Sequence, residues 1–436
     1  MKKLLICMMV ILLCAGCKND NDNEITGENL KIGVTIDTEQ TVYPSLLLGL
    51  GLLTSQSEEE FDVFDITFEK SVKGNVKIVF EATKLNHETI ITQNGCKAGE
   101  TISPRIKWNY EELASAKTPG LVDFTVICYV NNIESDRHNI RANYRSVNEC
   151  VYLAADAQTN EIMDFTWMFG AYVNENHPKI DPFLQKLLSN GIVSRFIGYQ
   201  GDDEDVLDQV FSIWYELQTR GVTYSNVVMT SNPSQGIASQ YVRFFDEVLD
   251  NTQANSVDGT VFFSSILRKI GIEPILILIP GHMYLGFYDT SREDYYLLET
   301  TMVGSMKLNE ITASNASQIL RQYINEWITQ QEYNDFTQGK LSLNTIKFRL
   351  SARTFNEAIE CNLEDHGNIA HKFGNELMYA IWPIMEVRQI VQPIESMTTR
   401  SATTYSSESI KDLGKVRGKA KKPEAIKDVL PIKASR

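Results

Sequence analysis

Between Lys31 and Asn143 apolar residues alternate with polar ones in short runs, whereas past residue 147 they recur at helical spacing. Strands need a repeat of two and helices a repeat of about 3.6, so one kind of layer cannot satisfy both stretches. The switch divides the 436 residues into two differently built parts. In the first, "KIGVTID", "FDVFDITFE", "NVKIVFEAT", "ETIITQ" and "DFTVICYV" are separated by the turn-forming clusters "KGN", "NGCKAGE" and "KTPG". Short strands at this spacing predict an antiparallel β-sandwich over 31–147, without a long helix. "YRSVNECVY" (144–152) is expected to be the hinge into a second domain over 148–396.

In that domain "DPFLQKLLSNG", "DVLDQVFSIWYELQTRG" and "YVRFFDEVLD" read as amphipathic helices. Val206, Leu207, Val210, Phe211, Trp214 and Leu217 form one core-facing stripe on the second. Another helix follows Ser256, carries Phe262, Phe263, Ile266, Leu267 and Ile270, and stops at Gly271. "PILILIP" is then a buried strand, and "HMYLGFY" and "YYLLETT", joined by "DTSRED", make an antiparallel hairpin. The fold class is therefore α+β. No phosphate-binding loop or dinucleotide fingerprint occurs, and "GLGLL" near residue 49 lacks the spacing of one, so no cofactor is expected.

The N-terminus "MKKLLICMMVILLCAGC" has two lysines, an apolar run from Leu4 to Leu13, and Ala15 and Gly16 before Cys17. That is a secretory signal over 1–16, too short to span a bilayer. Its ending resembles the lipobox of bacterial lipoproteins, with Cys14 where leucine is commoner. The resemblance implies a lipid on Cys17, a polar tether over 17–30, and a place in the cell envelope at the outer membrane. Loss of Lys2 and Lys3 with the signal takes the net charge from −15 to −17. Residues 397–436 hold ten Lys/Arg against four Asp/Glu, so −23 is left on 17–396. A body so acidic repels phosphate backbones, which argues against nucleic acid as a partner. The basic residues 397–436 are expected to be a disordered extension. Cys96, Cys128, Cys150 and Cys361 show no CxxC spacing, so no zinc site is expected; a Cys96–Cys128 disulfide is permitted outside the cytoplasm but not indicated. "HGNIAH" has no neighbouring ligand set, so His366 and His371 are expected on a helix surface and no metal site is anticipated.

The sandwich pattern of 31–147 looks like an immunoglobulin-like module. The stretch "NSVDGTVFFSSILRKIGIEPILILIPGHMYLGFY", with "YYLLETTMVG" after it, resembles the transglutaminase-like superfamily of papain-like thiol enzymes, most closely over 241–304. In that family a nucleophilic cysteine opens the helix, fifteen residues before the glycine of "GIxP". Counting back from Gly271 gives Ser256. The family histidine falls on His282, and the acid that orients it falls on Glu299. Two of the three positions are kept in kind; the nucleophile is not.

The physics of such a site stands apart from the name. A helix N-terminus has free N–H groups and positive potential, which favour a thiolate and can hold an oxyanion. His282 opens one hairpin strand and Glu299 closes the other, so the hairpin brings them to one end, where a carboxylate fixes the imidazole tautomer. Serine, a far weaker acid than cysteine, cannot rest as an ion pair with imidazolium and must be deprotonated during attack. The site is therefore expected to be degenerate, binding a peptide, an amide or a cell-wall fragment without efficient turnover. A serine amidase, peptidase or acyl-transfer enzyme using Ser256, His282 and Glu299 is the alternative, and a structural component of a surface assembly is a third reading. Asn255, Asp258 and Tyr284 are candidates to line the groove, with capping as the competing role for Asp258 and core packing for Tyr284.

Overall fold

A computed structural model describes residues 30–50, 63–155, 161–225, 236–394 and 418–426. The signal peptide 1–16, Cys17, the tether up to residue 29 and the tail residues 397–417 and 427–436 lie outside the described residues. The protein is α+β with several sheets. It divides into two compact units. The first is Met1–Met168 with Thr230–Tyr241 and Ile390–Ser407; the second is Phe169–Met229, Val242–Gln389 and Glu408–Arg436.

In the first unit, β1 (Ile32–Ile36), β3 (Phe64–Phe68) and β6 (Thr101–Ile102) form one antiparallel sheet, with β2 (Thr41–Val42) belonging elsewhere. A five-stranded sheet runs in the order β2, β8 (Ile133–Tyr144), β7 (Gly120–Val130), β4 (Val72–Phe80), β5 (Thr89–Cys96), antiparallel except for the β2–β8 pair. Alternation decides the faces. Along β7, Val122, Phe124, Val126, Cys128 and Val130 point inward, while Asp123 on the other face pairs with Arg141 at 2.7 Å. The sheets meet across aromatic rings: Phe64 of β3 lies edge-on to Phe80 and to Phe124, each with centroids 5.0 Å away. Cys96 and Cys128 are free thiols, as are Cys150 and Cys361, so the permitted disulfide is not formed.

The expected hinge at 144–152 is instead largely strand. β9 (Glu149–Ala155) is the middle of a third sheet, between β10 (Ile162–Asp164) and β11 (Ile237–Tyr241). Its partner β11 lies some 80 residues along the chain, which local spacing could not reveal, and the first unit accordingly runs to Met168 rather than to 147.

In the second unit, α1 (Ile180–Ser189), α2 (Asp203–Arg220), α3 (Phe245–Asn251) and α4 (Ser256–Ile270) follow the helical stripes of the sequence. α2 starts in an Asp202–Asp205 capping box and ends at Gly221, whose φ of 74° is the left-handed stop that glycine adopts without strain. Trp214 is fully buried, and Phe262 of α4 stacks on Phe245 of α3 with centroids 4.3 Å apart. The sheet runs β14 (Tyr295–Leu298), β13 (His282–Tyr288), β12 (Pro274–Ile279), β15 (Ala380–Pro383). Pro280 and Gly281 (φ 77°) make the two-residue turn that sets Ile279 opposite His282. Two more helices matter below: α5 (Leu343–Glu360) and α6 (Leu363–Ile369). The basic tail is not wholly disordered, because residues 418–426 are placed and Ala420 bridges to Tyr295. No helix among the described residues is long and apolar enough to cross a membrane.

Candidate functional site

α4 begins in a capping box. The Asn255 side chain accepts from the Asp258 N–H at 2.9 Å, and the Asp258 carboxylate accepts from the Asn255 N–H at 3.0 Å. This satisfies two orphan donors of the first turn and leaves the amides of Ser256 and Val257 as the open ones. Ser256 is the first residue of the helix and is 8 % exposed. α4 packs on β13, and its first turn lies against the chain just after Glu299: a Cβ on Gly259 would sit 2.7 Å from Thr300 Oγ1. Only glycine lets the helix start approach that corner so closely.

His282 opens β13. The β13–β14 register pairs Leu285 with Leu298, and continued by one residue it sets Glu299 opposite Tyr284, diagonal to His282 on the same face. His282 Nε2 and Glu299 Oε2 are 2.7 Å apart. Glu299 is further held by Asn362 Nδ2, which donates to Oε2 at 2.9 Å, and by the N–H and hydroxyl of Thr301, which donate to Oε1. Burial pushes the Glu299 carboxyl up, but the hydrogen bonds and the His282 charge outweigh it and hold the group below its ordinary value. An ionised Glu299 keeps the imidazole proton on Nε2, which leaves Nδ1 as the basic nitrogen. Among the described residues Nδ1 has no hydrogen-bond partner, and neither does the Ser256 hydroxyl.

His282 and Glu299 are thus brought together, while Ser256 stands at the start of the helix that packs on their hairpin without a hydrogen bond to His282. The three groove candidates are corrected. Asp258 is fully buried, with both oxygens used by the Arg243 N–H (2.7 Å), the Arg243 guanidinium (2.6 Å) and Asn255; burial pushes its carboxyl up against those bonds. It is a cap and an ion-pair partner, and Asn255, 4 % exposed, is the reciprocal cap. Tyr284 is buried beside His282, its ring centroid 6.2 Å from the imidazole.

His366 is the other correction. It is buried rather than on a helix surface, with Nδ1 2.7 Å from the Tyr284 hydroxyl and Nε2 2.8 Å from that of Tyr295; His371 is exposed as expected. Asn362 stands just before α6, its side chain turned to Glu299 rather than capping the helix, and His366 lies four residues on, so one helical face supplies a bond to Glu299 and a polar bridge under the sheet. Thr301 and Asn362 were not singled out from the sequence, and His366 was read there only as a surface residue. The four-residue spacing of Asn362 and His366 was the available signal, but nothing local said what that face would meet.

No family model, curated protein or solved structure matches the chain. Among the described residues no group of three or more His, Cys, Asp or Glu could hold a metal ion. What the arrangement can do rests on an oriented imidazole, open helix-terminal amides and a serine hydroxyl at the start of the helix.

Proposed function

We propose that the second unit is a transglutaminase-like (papain-like) domain, preceded in the chain by an immunoglobulin-like sandwich and carried on an envelope lipoprotein, and that its groove binds a peptide, an amide-bearing side chain or a cell-wall fragment without efficient turnover. The observation that carries this reading is the 2.7 Å His282–Glu299 pair at the end of a hairpin on which the Ser256 helix packs. An oriented base and a helix N-terminus are two of the parts that acyl-transfer sites use. Glu299, which orients the base, is held by Thr301 and Asn362, yet no hydrogen bond joins His282 to the Ser256 hydroxyl, the bond that activates a serine nucleophile. The missing bond supports binding over turnover.

Exposure to a fluorophosphonate serine probe tests this. The wild type is expected to remain unlabelled at Ser256 and to leave glutamine-amide and peptide substrates intact. Labelling at Ser256 that disappears in His282→Ala would replace the binding reading with a working serine acyl-transfer enzyme.

The anchor makes a separate prediction. Each methylene of an acyl chain adds about 0.8 kcal/mol of membrane affinity, so lipid on Cys17 dominates partitioning. Cys17→Ala is expected to move the protein from the membrane pellet to the soluble fraction, read by immunoblot after ultracentrifugation. Retention in the pellet would refute the lipoprotein assignment.

A further inference from the structure

β14 is the edge strand of its sheet, and the chain covers that edge with its own C-terminal segment. The Tyr295 N–H donates to Lys419 O (3.2 Å), and the Lys421 N–H donates to Tyr295 O (2.9 Å), which is strand addition to an open edge. Side chains then read the segment. Lys421 Nζ lies 2.7 Å from Asp203 and 2.9 Å from Asp289, and 5.0 Å above the ring of Tyr296. These acceptors are held by other groups: Asp203 also accepts from the Thr290 N–H and hydroxyl and from Tyr296 OH at 2.6 Å, and Asp289 accepts from Ser291. Burial raises the Asp203 carboxyl, but these bonds together hold it well below its ordinary value.

The remaining contacts extend the readout. Lys422 pairs with Glu360 at 2.7 Å, and the side-chain amide of Asn356 exchanges two hydrogen bonds with the backbone of Ile426, whose side chain enters the unit's core. At Gly418 a Cβ would overlap Glu293 O, and φ is +90°, so only glycine passes there. The sequence that satisfies all of this is an extended stretch with Gly, Lys, Lys and Ile at offsets of zero, three, four and eight.

We infer that this edge is a docking site for an extended, lysine-bearing peptide, and that residues 418–426 of the same chain are its resident occupant. The segment's basic composition suits a body carrying −23, which draws it to its socket. Docking also braces the candidate site, because Tyr295, clamped on both its N–H and its C=O, holds His366 and belongs to the strand that ends before Glu299. The inference does not depend on what Ser256 does.

Because segment and socket share a chain, a free peptide competes against an effective concentration on the order of millimolar. The test therefore uses the full-length protein with Lys421→Glu, which sets a negative charge against Asp203 and Asp289, and a fluorescent peptide of residues 418–426. Hydrogen exchange around Tyr295 is expected to quicken about tenfold in the variant. By fluorescence anisotropy the wild-type peptide is expected to bind the variant at least about tenfold more tightly than it binds the wild type, while a peptide carrying Lys421→Glu binds neither. Gly418→Val, which leaves the socket untouched, should also quicken exchange and expose the site. Unchanged exchange at Tyr295 in both variants would overturn the inference. Wild-type protection that falls on dilution would overturn it too, by assigning the occupant to a second copy of the chain.

Discussion

Ser256→Cys is expected to create the fastest-alkylating thiol in the protein. The comparison is with Cys361, the exposed one of the four described cysteines, whose thiol burial and the nearby Glu299 charge push up to about 11. Cys128 is held at about 12 by burial, and burial raises the fully buried Cys150 well above its ordinary value. A thiol at position 256 would sit at the first residue of α4, where open amides and helix polarity favour the thiolate; on the proposed reading His282 takes its proton. Such thiols ionise at about pH 7 or below. At neutral pH the new group would then be about half ionised, against roughly one part in ten thousand for Cys361. A less basic thiolate is the weaker nucleophile, with a sensitivity of about 0.5 per unit, so four units return about a hundredfold. The net expectation is iodoacetamide labelling about fiftyfold faster at 256 than at Cys361, followed by peptide mass spectrometry, and slowed again by His282→Ala. A cysteine at 256 no faster than Cys361 would mean that the imidazole and helix terminus do not act on that position, and the proposed ancestry of the site would fall.

That expectation leans on the part of the fold most legible in the sequence. The Asn255–Asp258 spacing is a capping box, Gly271 is a helix stop, and Pro280–Gly281 is a two-residue turn; together they set the register of α4 and the hairpin to the residue. All three are local, and so is the alternation of β7. What escaped was encoded at a distance. β8, "IESDRHNIRANY", has little apolar alternation because only Ala142 among its residues is buried, and it is a strand through its pairing with β7. Asn362 and His366 acquire their roles from Glu299, Tyr284 and Tyr295, more than sixty residues upstream. The tail was misjudged for a related reason: its composition is that of a solvated segment, but its charges have assigned partners in Asp203, Asp289 and Glu360, and Ile426 has a place in the core. Composition averages over residues, whereas docking depends on four of them.

The buried His366 makes the largest expected effect on stability, and its sign follows from its two neighbours. A neutral imidazole has one donor and one acceptor nitrogen, which suits one tyrosine hydroxyl accepting and the other donating; an imidazolium would be a buried charge without a counter-ion bonded to it. Burial accordingly depresses the group from 6.5 to about 4. The unfolded chain therefore binds a proton near pH 6.5 that the folded protein does not bind until about pH 4. Stability is complete above 6.5 and is lost as the pH falls through that window, by up to about 3 kcal/mol at its lower end. The depressed carboxyl of Glu299 acts lower, since a group of that kind loses its contribution only as pH drops below the ordinary carboxylate value. Urea midpoints of the wild type should thus fall steadily from pH 7 to pH 4.5. His366→Gln, which offers both a donor and an acceptor but no titration, should be less stable at pH 7 and flatter across the window, the two curves converging toward pH 4.5. Parallel curves would show that His366 does not titrate between the two tyrosines as its surroundings require.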